Sequence, residues 1–170
     1  MKKNNTTDFA YHLTKFFTEY LTSQRNLSAN TISTYRYTFK LLLIYFNEEK
    51  HIKPNNLSIS TINRKNIEDF IVWLQKTRAC SASTCNQRLA ALKSFFQYLQ
   101  YELPDASLQC QENISIHPLK QAESTIKYLT IEGVKELLAQ PDTSDKYGRR
   151  DLALLSIMYD TGARVSEISN

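Results

Sequence analysis

Ala82-Ser83-Thr84-Cys85-Asn86-Gln87-Arg88-Leu89-Ala90-Ala91-Leu92-Lys93-Ser94-Phe95-Phe96-Gln97-Tyr98-Leu99-Gln100-Tyr101 sets the fold class. Cys85, Leu89, Leu92, Phe96 and Leu99 recur at steps of four, three, four and three. Such steps return to one face of an α-helix, whereas a strand repeats every second residue. The stripe predicts a core helix over 82–101, entered through Arg78-Ala79-Cys80-Ser81. Its reverse face holds Ser83, Thr84, Gln87, Ala90, Ala91 and Ser94, all small or polar and none acidic. Asn86, Arg88 and Lys93 flank that face. Two readings fit it. One is close packing on another helix. The other is a surface for nucleic acid, because phosphates and base edges are met by Asn, Gln, Ser, Thr, Arg and Lys donors. Composition alone does not choose between them.

Toward the N-terminus the same period recurs. Phe9, Leu13, Phe16, Phe17, Tyr20 and Leu21 predict a helix from Asp8 to about Ser23, with Asp8 favouring its start. Residues 1–7 form a polar tail, expected to be disordered. Ser28 is the expected cap of a second helix, 29–49, with Ile32, Tyr35, Phe39, Leu42, Leu43 and Phe46 as its stripe. The back of its first half is polar and aromatic: Asn30, Ser33, Thr34 and Tyr37, with Lys40 at the edge. Solvent exposure explains such a face without any function. The second half adds Leu41, Ile44 and Tyr45, is apolar nearly all round, and should be central. After a loop over 51–61, Asn63 is placed to cap a third helix to about Lys76, with Ile67, Phe70, Ile71 and Leu74 inward and Trp73 beside them.

Three Gly and four Pro in 170 residues suit long helices, and 42% hydrophobic content suffices for a core. The expected class is all-α. Residues 1–103 carry 14 Lys and Arg against 7 Asp and Glu, net +7; residues 104–170 carry 7 against 10, net −3. A basic helical unit followed by an acidic one suggests different partners for each. Cys80, Cys85 and Cys110 match neither zinc spacing nor a disulfide framework, and His12, His51 and His117 are scattered. No metal is assigned. No run approaches the ~20 apolar residues of a membrane span. The polar start Met1-Lys2-Lys3-Asn4-Asn5-Thr6-Thr7 is not a secretory signal, so a cytoplasmic protein is expected.

Pro104 to Ser124 is polar and irregular and reads as a linker, bounded here as 104–127. Thr130 is then placed to cap a helix from Ile131 to about Ala139. The last stretch, Tyr147 to Ile168, reads as a buried helix with an apolar run from Leu152 to Tyr159. Gly162 closes it in the left-handed conformation, and Arg164 opens a short helix with Glu167 three residues on. By spacing alone, Arg164 and Glu167 form an ion pair, or Arg164 meets an anion.

The same stretch carries an ordered motif: Arg150-Asp151-Leu152-Ala153-Leu154-Leu155, then Tyr159-Asp160-Thr161-Gly162-Ala163-Arg164-Val165-Ser166-Glu167-Ile168. It resembles the first arginine box of the tyrosine recombinase (phage integrase) family, with Ala163 where the family often has Leu. Leu27 to Tyr35 and Ser83 to Leu99 resemble its SAM-like core-binding domain, and Leu129-Thr130-Ile131-Glu132 resembles the entry to its catalytic domain. The resemblance implies a four-helix core-binding domain over 1–103, a linker over 104–127 and the first helices of a truncated catalytic domain over 128–170. It implies that the second and fourth helices face the DNA major groove. The residues so implicated are Asn30, Thr31, Thr34, Arg36, Tyr37 and Lys40, with Ser83, Thr84, Asn86, Gln87, Arg88 and Lys93. It gives Arg164 the role of binding the scissile phosphate, with Glu167 orienting its guanidinium.

The family cleaves one DNA strand through a phosphotyrosine link, uses no metal or nucleotide cofactor, and acts as a tetramer on double-stranded DNA. No His-x-x-Arg occurs in this sequence, and none of its ten tyrosines matches the nucleophile. The expectation is a fragment that binds DNA without cleaving it, monomeric or weakly associating alone. Alternatives are a stand-alone truncated recombinase-like regulator that binds DNA, and a helical protein-interaction module.

Overall fold

The computed structural model describes residues 7–121 and 128–168. Every regular element among them is helical. The chain divides into two compact units, Met1–Ala122 and Glu123–Asn170, each considered by itself. Residues 1–6, most of the expected polar tail, lie outside the described residues, as do 122–127 of the stretch read as a linker.

Helix α1, Asp8–Lys15, is capped by the Thr7 hydroxyl, which accepts the Ala10 N–H at 3.2 Å. Asp8 is the first helical residue. Its carboxylate accepts the N–H of Ile59 at 3.2 Å, so it ties the helix start to a distant loop. The helix runs on as a π-helix, Phe16–Gln24, which turns Phe16, Phe17 and Leu21 all toward the core. The Thr14, Thr18 and Thr22 hydroxyls along it each donate to the carbonyl four residues back, bonds that commonly accompany distorted helices.

Helices α2, Ala29–Glu49, and α3, Arg64–Lys76, start at the expected caps, and α4, Ala82–Glu102, starts at Ser81, read only as part of the connection before it. Ser28, Asn63 and Ser81 each accept the N–H three residues on, at 3.3, 3.0 and 3.2 Å. The second half of α2 is buried on several sides through Leu41, Leu42, Tyr45 and Phe46, as its continuous apolar character requires. The whole stripe of α4 is buried. Ala91, read as part of the reverse face, is buried as well, as close packing of that position requires. Phe16 is the hub of the core: its ring lies 6.0 Å from Phe39, 5.2 Å from Phe95 and 5.6 Å from Tyr98, centroid to centroid.

Two stretches read as loops contribute to this core. Between α2 and α3, short 3-10 turns at Pro54–Asn56 and Ile59–Thr61 accompany buried Leu57, Ile59 and Ile62. Past α4, the stretch read as an irregular linker holds a 3-10 turn, Pro104–Ala106, and helix α5, Ser107–Ile114. Cys110 and Asn113 of α5 and the following Ile116 are buried. Asn113 donates to the Ile62 carbonyl at 2.9 Å and Gln109 to that of Ile59 at 2.8 Å. These bonds satisfy loop carbonyls that burial removes from water.

In the second unit, Thr130 caps α6, Ile131–Leu138, and Asp145 caps α7, Lys146–Thr161. Gly162 ends α7 with φ 66°, its N–H donating to the Met158 carbonyl at 3.0 Å. Helix α8, Val165–Ile168, follows. The expected buried helix is not buried: no residue of α6, α7 or α8 is, and Ile157 is 48% and Val165 67% exposed. So small a set of helices encloses too little volume to cover an apolar face on all sides.

Candidate nucleic-acid interface

The capped starts of α2 and α4 lie side by side. Asn30, Thr31, Thr34 and Tyr35 of α2 line one open cleft of ≈ 380 Å³ together with Gln87 and Ala90 of α4. None of these residues is acidic. Four of the implicated side chains, Asn30, Thr31, Thr34 and Gln87, are thus brought together. Tyr35, expected only in the core, is half-buried and forms part of the cleft wall. Sequence periodicity misses it because a residue at the edge of a stripe serves both faces.

The remaining candidates take different places. Ser83, Arg36 and Lys40 are exposed, while Thr84 and Lys93 are half-buried. Tyr37 is 45% exposed. Lys40 borders a separate depression of ≈ 310 Å³ with Leu43, Ile44, Asn47, Glu48 and Pro54. The Arg36 guanidinium lies 5.7 Å from the Phe17 ring centroid, and its reach into solvent begins from that aromatic support.

Arg88 joins the two helices. Its Nη1 donates to the Thr34 carbonyl and to the Thr38 hydroxyl, each at 3.3 Å. Its guanidinium stands 4.7 Å from the Tyr37 ring centroid. Thr38 is buried and donates in turn to the Thr34 carbonyl at 3.1 Å. No carboxylate pairs with Arg88 among the described residues. Its partners are a carbonyl, a hydroxyl and an aromatic face, so its positive charge stays uncompensated beside the cleft.

Asn86 is bonded to a distant part of the chain. Its Nδ2 donates to the Leu119 carbonyl at 2.8 Å, and its Oδ1 accepts the Leu119 N–H at 2.7 Å. Both ends of the amide are occupied within the chain. Nothing local to α4 signals this, because the partner lies 33 residues downstream.

In the second unit, Arg164 and Glu167 form the pair that their spacing suggests. Glu167 accepts the Arg164 N–H at 2.8 Å and its Nη1 at 3.2 Å. The Arg164 side chain is 82% exposed, which leaves most of its guanidinium donors open to an anion. Among the described residues no cluster of three His, Cys, Asp or Glu side chains is placed to hold a metal ion. No described helix is long and apolar enough to cross a membrane.

Comparison with known proteins gives this geometry a family. Residues 15–102, which run from the end of α1 through α4, match the family model "Phage integrase, N-terminal SAM-like domain". The chain belongs to the phage integrase family. Its first unit contains the N-terminal SAM-like domain of that family. Similar proteins include a putative integrase/recombinase, y4rC, of Sinorhizobium fredii, 37% identical over 157 residues, covering 92% of this chain and 47% of the relative. Tyrosine recombinase XerD of Listeria monocytogenes is 34% identical over 152 residues, covering 89% and 48%. Tyrosine recombinase XerC of Herpetosiphon aurantiacus is 35% identical over 159 residues, covering 89% and 47%. The chain spans about half the length of these relatives. No solved structure matches it.

Proposed function

We propose that this chain is the DNA-binding portion of a site-specific tyrosine recombinase, with α2 and α4 laid against duplex DNA. The observation that carries the proposal is the acid-free cleft joining the starts of these helices, lined by Asn30, Thr31, Thr34 and Gln87. Hydroxyl and amide groups there suit base edges and sugar-phosphate oxygens. Arg36, Lys40, Arg88 and Lys93 supply the positive charge that holds phosphates. Residues 128–170 are the start of the catalytic domain, where Arg164 binds the phosphate at which the whole recombinase cuts. A planar guanidinium stays charged and offers parallel donors to the non-bridging oxygens, and Glu167 holds its orientation. The 170-residue chain binds DNA and does not cleave it; cleavage and strand exchange belong to the whole protein assembled with other protomers on DNA.

Gel-shift titration of the chain on duplex DNA across a salt series tests this. Binding at low salt is expected, with log affinity falling linearly with log salt at about −0.9 per phosphate neutralised. Failure to retard any duplex at low salt would overturn the proposal.

A further inference from the structure

Asn86 lies on α4 directly before Gln87 of the cleft, yet its side chain faces a different task. The paired bonds to Leu119, 2.8 and 2.7 Å long, use both its donor and its acceptor. An asparagine that reads an adenine uses the same edge of the amide, so Asn86 cannot hold Leu119 and make that two-bond contact with a base at once. Around this pair, Ile116 is buried and Leu119 packs on the core. Lys120 and Gln121 are exposed. Leu119 is thus the last side chain before position 122 that the first unit holds.

We propose that Asn86 is a positioning residue that pins the exit of the chain from the first unit to the DNA-facing helix. The proposal rests on the DNA-binding reading of that helix. The chain then leaves the first unit from a fixed point on α4. Without the pin, Leu119 keeps only its side-chain packing, and the nearest buried anchor upstream is Ile116. Release of the three residues after it adds up to ~10 Å of reach. A longer, looser tether lowers the effective concentration of the second unit at DNA already held by the first.

The test uses the full chain with Asn86→Ala, Leu119→Pro, which removes the same N–H from the other side, and Leu119→Ala, which keeps it. Hydrogen exchange at the amide of residue 119 is expected to quicken at least ten-fold in Asn86→Ala, and far less in Leu119→Ala. Leu119→Pro has no such amide and is read by binding. Duplex affinity should fall three- to ten-fold in Asn86→Ala and in Leu119→Pro, with the salt slope unchanged. The Asn86→Ala, Leu119→Pro double variant should bind no worse than Asn86→Ala alone, because Asn86→Ala already removes the bond from the residue-119 N–H that Leu119→Pro removes. Unchanged exchange in Asn86→Ala overturns the anchor. Weakened binding in Asn86→Ala beside intact binding in Leu119→Pro overturns it in favour of a direct DNA contact. Absence of DNA binding by the unsubstituted chain overturns the DNA reading, and with it the tether's part in affinity, while the exchange result still judges the anchor.

Discussion

Arg88 ties two helices together while leaving its charge without a carboxylate partner. Its bonds to Thr34 and Thr38 set the spacing of α2 and α4, and its uncompensated charge sits at the cleft. Arg88→Ala is expected to weaken DNA binding and to reduce the salt slope by about 1 if the charge meets a phosphate. Arg88→Lys keeps the charge but not the planar fork, so it should restore the slope and not the thermal stability lost with the strut. Salt titrations paired with thermal unfolding of the two variants check this. His12 gives a pH dependence. It is 8% exposed, its Nδ1 has no partner, and its ring lies 5.1 Å from that of Tyr11 and 6.3 Å from that of Tyr98. Burial lowers its pKa below the ordinary 6.5, and the nearby Glu102 opposes that shift only in part. The unfolded chain therefore binds the proton more readily than the folded one. The His12 contribution to stability is full above pH 6.5 and is lost as pH falls from there through the lower folded value. Urea unfolding of the chain and of His12→Gln between about pH 7 and pH 5 should show a steeper acid loss in the unsubstituted protein.

Among the helices, α5 is the main departure from expectation. Ser107 to Ile114 lacks a regular apolar stripe, so its polar composition reads as a linker. Its helix depends on what it covers: Cys110 and Asn113 close over α4 and the loop before α3. Tertiary burial overrides weak local preference in such a short helix. The cysteines report on this packing. Burial pushes the Cys85 and Cys110 thiols up, whereas Cys80 is half-buried. In the native chain a thiol reagent near pH 8 should label Cys80 quickly, and Cys85 and Cys110 only as the fold opens. Labelling of Cys110 at the native rate of Cys80 would show that α5 does not stay closed over the core. The caps Ser28, Asn63 and Thr130 were legible for a physical reason: each satisfies an N–H group only three residues away.

For the whole molecule, charge separates a basic first part from an acidic second, in keeping with a DNA-binding unit followed by a unit of different chemistry. The second unit has legible helices, caps and the Gly162 stop, yet none of its helical residues is buried. Periodicity reveals which face of α7 is apolar, but not whether anything lies against it. The same limit applies to the site. Residue types and spacing made the backs of α2 and α4 stand out, and the ordered box around Arg164 carried the family resemblance. Long-range bonds were invisible: Arg88 reaches Thr34 and Thr38, and Asn86 reaches Leu119. The all-helical class, the starts of the long helices and their polar faces follow from the order of residues alone, because they depend on neighbours within one or two turns. Which polar groups stay open to a ligand, and which are consumed within the fold, is settled by tertiary packing, because it depends on residues brought together from distant parts of the chain.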